Sequence, residues 1–503
     1  MRRLLRIPEP DLLFGHSQSV TDPRDGLALF GPLDAGKPYG IRAAVVGTTN
    51  GIARLKRWFA SIQGPIGNHP PEAARPPFPG FEAVFGIPWP AQPTLEVEVP
   101  EGELQACLHL TDSYQRVFKT VDLYASRVLA ALREDEARPD VWFIVIPDAV
   151  YQLCRPKSRV PFDHRVEVSK GMSRARATFL RTQPSLFEEE NLAAIPYLYE
   201  LNFHNQLKAR LLGRDCPTQI VRESTIAFAE VLNTSGHPLR DLEGMESAIA
   251  WNLATAAFYK AGGRPWKIAA IRDGVCYVGL VFKLDTNARD ARTACCAAQM
   301  FLDSGDGVVF KGAVGPWYNP DQGDYHLDAA AAQSLVELAA KSYKQKTGTN
   351  PRELFLHGRV RFTNVEWNGF SAGAPPNTEL VGVRIRSTTE LKLFRKGTHA
   401  ILRGLAYVRD PRFAYLWTKG FVARLLTYPG REVPNPLLVD VCRGEAPIET
   451  VLSDIMALTK LNYNTCTFAD GDPVTLRFAN AVGEILTAGP IPVAPPLPFR
   501  YYI

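Results

Sequence analysis

The chain has 503 residues, 46% hydrophobic and 22% charged, with 38 Gly and 40 Pro, which at roughly 150 residues per domain predicts about three domains. These fractions exclude a mainly disordered, collagen-like or coiled-coil protein. The balance of 57 Lys+Arg against 52 Asp+Glu leaves a formal charge of +5, too small on its own to mark a nucleic-acid binder. No apolar run approaches the roughly 18 residues of a membrane span, and the start, MRRLLRIPEP, has no apolar region or cleavage site behind its charges, so a cytoplasmic protein is expected. The eight Cys show no C-x2-C spacing and the nine His no paired motif, so structural thiols are expected and no metal cluster is.

Residues 1–37 are punctuated by Pro and Gly and read as an irregular linker with one short strand. A buried strand follows over 41–49, then a helix over 51–63 with Ile52, Leu55, Trp58, Phe59 and Ile62 on one face. After a Pro-rich stretch, residues 113–134 read as an amphipathic helix, and 140–147 as a continuous apolar strand of a covered parallel sheet. Helix 203–212, strand 217–221 and helix 245–260 complete an α/β layer. A second layer opens with strand 274–283, then Ala294–Leu302, a turn at Ser304-Gly305-Asp306-Gly307 and a return strand. Helix 327–345 leads into strand 352–358; later strands surround 380–385, 414–418 and 436–441, before helices at 449–461 and 473–487. A meander followed by a helix and a parallel strand is the order of an RNase H-like fold.

Gly31-Pro-Leu-Asp-Ala-Gly36-Lys37 has the spacing of a phosphate-binding loop, but Pro38 stands where Ser or Thr should bind magnesium and cannot start the required helix. Between Cys154 and Thr182 lie Arg155, Lys157, Arg159, Arg165, Lys170, Arg174, Arg176 and Arg181, opposed only by Asp163 and Glu167, so this segment alone carries +6. It is either a solvated loop or a phosphate-tracking surface. His204 and Lys208 are four apart on one predicted helix and so share a face. Gln219 follows on the next strand and Lys260 at the end of the next helix. Each alone reads as a surface residue; together two ammonium groups, an amide and a ring donor suit a terminal phosphate and its adjacent base.

His204-x-x-x-Lys208, then Pro217-Thr-Gln219, then Lys260-Ala-Gly-Gly-Arg-Pro-Trp266 resembles the guide 5′-end pocket in the MID domain of Argonaute proteins. The resemblance covers nearly the whole chain: residues 14–33 look like the linker before MID, and PFRYYI looks like the family's buried C-terminus. It implies an α/β architecture of a linker-like segment (1–37), a Rossmann-like MID domain (38–264) and an RNase H-like PIWI domain (265–503). With no room for N and PAZ domains, the chain looks like a short prokaryotic Argonaute. ACCAAQMFLDSGDGVVFKG, EVPNPL and LTKLNYN look most like the subgroup paired with a TIR-APAZ protein.

By resemblance, His204, Lys208, Gln219 and Lys260 would hold the guide's 5′ phosphate, with His204 where Tyr is usual. A Mg²⁺ ion would bridge that phosphate to the terminal carboxylate of Ile503, with Arg500 as a possible neighbour of undetermined direction. Slicing members need an acidic tetrad to clamp two Mg²⁺ ions. Here the expected positions fall near Val281, near His357 or Gly358, and near Asn462 or Asn464, none of them acidic. Asp303, Asp306 and Glu366 are nearby, but turn placement or helix capping explains them more simply.

The resemblance therefore implies an inactive subunit that pairs a guide RNA with single-stranded DNA target and is not itself an enzyme. Its TIR-APAZ partner, bound as a heterodimer that forms a higher oligomer on activation, would degrade NAD in defence against plasmids or phages. The alternatives are a guide-directed nuclease with atypical metal ligands and the same module paired with a sirtuin-like effector.

Overall fold

Ala43–Gly47 and Val141–Ile146 are unbroken apolar runs, and each is a strand with every residue buried. Strands apolar on both sides belong inside a parallel sheet covered on both faces. A computed structural model of the protein describes residues 2–68, 70, 72–134, 138–167, 171–284, 292–302, 307–428, 430, 432–490 and 496–503. In it these two strands are the centre of a four-stranded parallel sheet, flanked by Leu95–Glu98 and Thr218–Arg222. Alternation along the strands divides the core. Ala44, Val46, Trp142 and Ile144 face an outer layer with the helices Ser113–Glu134 and Phe203–Leu211. Val45, Val141, Phe143 and Val145 face the helices Thr49–Ser61 and Glu246–Lys260, and this inner core continues into the second half of the chain.

The second half is built on a ten-stranded mixed sheet. Val275–Leu284, Ala294–Leu302 and Gly307–Gly315 form the antiparallel meander expected from the sequence. Helix Ala329–Thr347 then returns the chain to Glu353–Gly358, parallel to the first meander strand, and Glu379–Ser387 adds a further parallel strand. This is the RNase H-like order. The expected turn residues Ser304, Gly305 and Asp306, together with Asp303, lie outside the described residues.

Two local expectations change. The first 37 residues carry three short strands, Arg3–Arg6, Leu12–Leu13 and Ser19–Val20, and a helix, Pro23–Phe30. Arg3–Arg6 pairs with Leu405–Asp410 as an edge strand of the ten-stranded sheet, a long-range pairing that a four-residue pattern cannot announce. Glu9 pins the segment by ion pairs to Arg403 at 3.0 Å and Lys460 at 2.9 Å. The helix expected over 473–487 is two helices, Val474–Arg477 and Ala479–Leu486. The first presses its backbone onto the sheet at Gly279, where a Cβ would lie 1.9 Å from the Thr475 carbonyl oxygen. Glycine is what permits that approach.

All eight cysteines are free thiols, most of them buried. Among the described residues no helix is long and apolar enough to cross a membrane.

Candidate functional site

The site is built where the two halves of the chain meet. Helix Phe203–Leu211 starts at Asn202, whose side chain accepts from Asn205 N–H at 3.3 Å, satisfying one of the free donors of the first turn. This fixes the helix that carries His204 and Lys208. Lys208 is buried and its Nζ donates to the main-chain oxygen of Ile503 at 2.7 Å and to the Thr218 carbonyl at 3.3 Å. Lys260 is the last residue of Glu246–Lys260, and its Nζ donates to Gln219 Oε1 at 2.5 Å and reaches Asn464 Oδ1 at 3.5 Å. The strand Thr218–Arg222 thus contributes Thr218 to one lysine and Gln219 to the other.

Lys208 has as acceptors the terminal oxygen of Ile503 and the carbonyl and hydroxyl of Thr218, and Lys260 has amide oxygens; among the described residues neither pairs with an Asp or Glu side chain. Burial draws the Lys208 pKa down to about 7, and burial followed by the charge of Lys208 draws Lys260 well below its ordinary value. Both shifts are led by the loss of water around the ammonium groups. The His204 ring is solvent-accessible at the rim but crowded by protein, and its Nδ1 lies 3.1 Å from Asn205 Oδ1. Desolvation, then Lys208, pulls its pKa downward, an effect moderated by the water that reaches the ring; the imidazole is neutral near pH 7.

The motif after Lys260 is spent on the seam. Gly262 has a positive φ of 100°, and a Cβ there would sit 3.2 Å from Arg500 Nη1, which places Arg500 against the end of the Lys260 helix. Arg500 Nε is buried without a partner. Trp266 Nε1 donates to the Lys460 carbonyl at 3.0 Å, and the Tyr463 hydroxyl donates to the Trp266 carbonyl at 2.8 Å. Sequence reasoning had set Asn464 beside a metal position; the structure turns it to Lys260 instead. The oxygens of Ile503, Gln219 and Asn464 are hard donors that suit Mg²⁺. Among the described residues no group of three or more His, Cys, Asp or Glu converges, so a Mg²⁺ held here would take the Ile503 oxygen and draw its remaining ligands from the phosphate and water.

The other singled-out residues lie elsewhere. Lys37 pairs with Asp140, whose carboxylate also accepts from Arg42 N–H at 2.9 Å, so the glycine-rich stretch is closed by an ion pair. His357, level with Gly279 on the neighbouring strand, is 1% exposed, and its Nδ1 lies 2.9 Å from Thr475 Oγ1. Burial depresses its pKa to about 3, so the ring is neutral. Thr475 was not singled out from the sequence, and nothing local marks it. Val281 pairs in register with Ala297. Glu366 is buried and caps its own helix through Thr363 while binding Leu327 N–H at 2.9 Å and His326 at 2.8 Å, the capping role expected of it. In the basic segment, Lys170 lies outside the described residues.

Solved structures share this architecture. The Clostridium butyricum Argonaute bound to a guide DNA with a 5′ deoxycytidine and a 19-mer target DNA matches at a TM-score of 0.64 and 14% identity over 100% of this chain. The Aquifex aeolicus Argonaute matches at 0.55 and 13% over 99%, and Aa-Ago with externally bound siRNA at 0.54 and 13% over 99%. The fold is that of the Argonaute MID and PIWI domains. The chain spans 55%, 57% and 56% of those three proteins, respectively. No protein-family model and no curated protein matches the sequence. In these terms the four-stranded sheet is the MID sheet, the ten-stranded sheet is the PIWI sheet, and the pocket lies on the seam between them.

Proposed function

We propose that the chain is a guide-holding Argonaute subunit of the short prokaryotic type, catalytically inactive, that binds a 5′-phosphorylated guide RNA and pairs it with single-stranded DNA target. The observation that carries this reading is the pair of buried lysines, Lys208 and Lys260, at the seam, with the single terminal carboxylate of Ile503 beside Lys208 and only amide oxygens beside Lys260. Burying a cation without a counter-charge costs several kcal/mol, on the order seen for isolated buried ions. A terminal phosphate offsets that cost for both lysines at once, and the unpaired Arg500 Nε adds a donor nearby.

His204 at the rim stacks on the first base or donates to the phosphate. Gln219 keeps its Oε1 on Lys260 and donates from its amide nitrogen to the phosphate. The carboxylate of Ile503 and the guide phosphate together hold a Mg²⁺, which lowers the repulsion between the two anions. Recognition of target is left to base pairing, and the protein reads phosphates and duplex shape.

Support for inactivity comes from the place where the second metal-binding carboxylate would stand. His357 is sealed there, neutral, against Thr475, and a buried neutral ring held by a hydroxyl is a packing solution. The effector activity is assigned to a TIR-APAZ partner that degrades NAD once target is bound. Target can switch that partner only by binding the active assembly better than the resting one.

The test is co-expression with the neighbouring reading frame, followed by an NAD-loss assay. NAD loss that requires both a 5′-phosphorylated guide and a complementary DNA supports the reading. Guide-dependent cleavage of target by this chain alone with Mg²⁺ or Mn²⁺ overturns it, as does NAD loss that ignores the target.

A further inference from the structure

The basic segment between the strand Val141–Ile146 and the helix Phe203–Leu211 is a folded loop with a closed stem. Phe203 N–H donates to the Cys154 carbonyl at 3.0 Å, joining its two ends at the first turn of the helix that carries Lys208. Lys208 is about 8 Å further along that axis at 1.5 Å per residue. Helices Arg174–Thr182 and Glu188–Ala194 enclose Ala177, Leu180, Ala194 and Tyr197 against Tyr114, and the Tyr197 hydroxyl donates to Asp112 at 2.7 Å. Tyr114 belongs to the helix Ser113–Glu134, so the segment is mounted on the outer layer of the MID sheet, and its far end meets the second half where Glu200 N–H donates to the Ala488 carbonyl at 2.8 Å.

Its surface combines exposed rings with cations, of which Arg176 pairs with Glu190 at 3.2 Å and Arg155 lies over the Tyr151 ring. Phe162 is 80% exposed and Phe179 42%, with the guanidinium groups of Arg165 and Arg176 at 5.4 and 5.6 Å from their centroids. Arg155, Lys157 and Arg159 are exposed and form no ion pair with any described residue. A merely solvated loop gains nothing from exposing phenyl rings. Rings that accept bases, interleaved with cations that neutralise phosphates, are what an unpaired nucleic-acid strand needs.

We propose that this segment holds the single-stranded part of the target that lies 3′ of the guide-paired region. The proposal rests on the guide-binding reading, which sets the direction. A guide whose 5′ phosphate is in the pocket ends there. In an antiparallel duplex only the target continues past that point, and the basic segment rises from the first turn of the helix that carries Lys208. The partner is thus a single DNA strand without sequence preference, because stacking and phosphate contacts carry no base code.

The test compares a target ending opposite the guide's first nucleotide with one carrying a 3′ tail of about ten nucleotides, a length within the site size of a stacking surface. The tail is expected to tighten binding by about tenfold, since each base stacked on a ring contributes at least that order. With three phosphate contacts, from Arg155, Lys157 and Arg159, the tail's contribution should fall with a log–log salt slope of roughly −2. The variant Arg155→Glu/Lys157→Glu/Arg159→Glu should lose the tail's advantage while binding guide and blunt target as before; Phe162→Ala/Phe179→Ala, which leaves the charge intact, should lose part of it. Equal binding of tailed and blunt targets by the unaltered protein overturns the proposal, as does a variant that weakens both equally, which would assign the surface to the duplex or to a protein. If guide binding proves independent of the 5′ phosphate, the guide reading fails by itself. The labelled tail oligonucleotide alone then decides the surface, by losing affinity in the charge-reversal variant or keeping it.

Discussion

Lys208 Nζ donates to the main-chain oxygen of Ile503 at 2.7 Å, across 295 positions of sequence. The last residue of the PIWI half therefore forms part of the wall of the MID pocket, and the two halves make one site.

Replacing Lys208 with Met removes the buried cation and keeps the volume. Because the ammonium is the partner of the Ile503 terminal oxygen, its removal leaves that anion unpaired, and the free protein should melt lower. Affinity for a 5′-phosphorylated guide should fall by about tenfold or more, as for loss of one charge-assisted hydrogen bond, and the Lys208→Met/Lys260→Met pair should lose still more. A 5′-hydroxyl guide should be nearly indifferent. Filter binding with the two guides checks this, and equal losses for both would remove the phosphate assignment.

The lowered lysine pKa values make guide binding pH-dependent. In the free fold Lys208 loses its proton through about pH 7, whereas the bound phosphate requires the ammonium form. Affinity for 5′-phosphorylated guide should therefore fall as pH rises above 7, by up to about tenfold per unit for one coupled proton. Stability of the free protein runs the other way: between about 7 and the ordinary lysine value the unfolded chain binds more protons, so folding gains with pH. Calorimetry in two buffers of different ionisation heat should report proton uptake on guide binding near pH 8.

Two glycines added after Ile503 would displace its carboxylate from Lys208. Guide affinity should drop, and the Mg²⁺ dependence of binding should weaken with it. An extended protein that binds guide with unchanged Mg²⁺ dependence would remove Ile503 from the site.

Restoring a carboxylate at the sealed position should not restore cleavage. His357→Asp buries a charge beside the Thr475 hydroxyl with no cation among its described contacts, and should destabilise the fold by about 3 kcal/mol, read as a lowered Tm. Target cleavage with Mg²⁺ or Mn²⁺ should stay absent. Cleavage by this variant would mean that the metal site is closer to complete than the packing of His357 suggests.

Much of the fold was legible in the residues. The apolar runs at 43–47 and 141–146 allow no structure but a doubly covered strand, and the alternation into Ala294–Leu302 and the long helix after it set the order of the second sheet. The candidate pocket was legible as types and spacings: His204 and Lys208 one turn apart, Gln219 on the next strand, Lys260 at a helix end. Less was visible where a role depends on a distant neighbour. Arg3–Arg6 is four residues whose partner lies about four hundred positions away, and the close approach of Thr475 to Gly279 joins positions nearly two hundred apart.

The sequence by itself determined which segments are strands and helices, that the basic charge is concentrated between Cys154 and Thr182, and that no carboxylate stands at His357. These follow from local periodicity and residue type, which need no knowledge of what lies opposite. Only the tertiary structure decided that Asn464 faces Lys260, that Arg500 lies against Gly262, and that the basic segment is mounted on the outer layer of MID. The same holds for the charge state of the pocket: a lysine reads as a surface cation until the fold buries it, and both lysines are shifted chiefly because the seam between the two halves shuts out water.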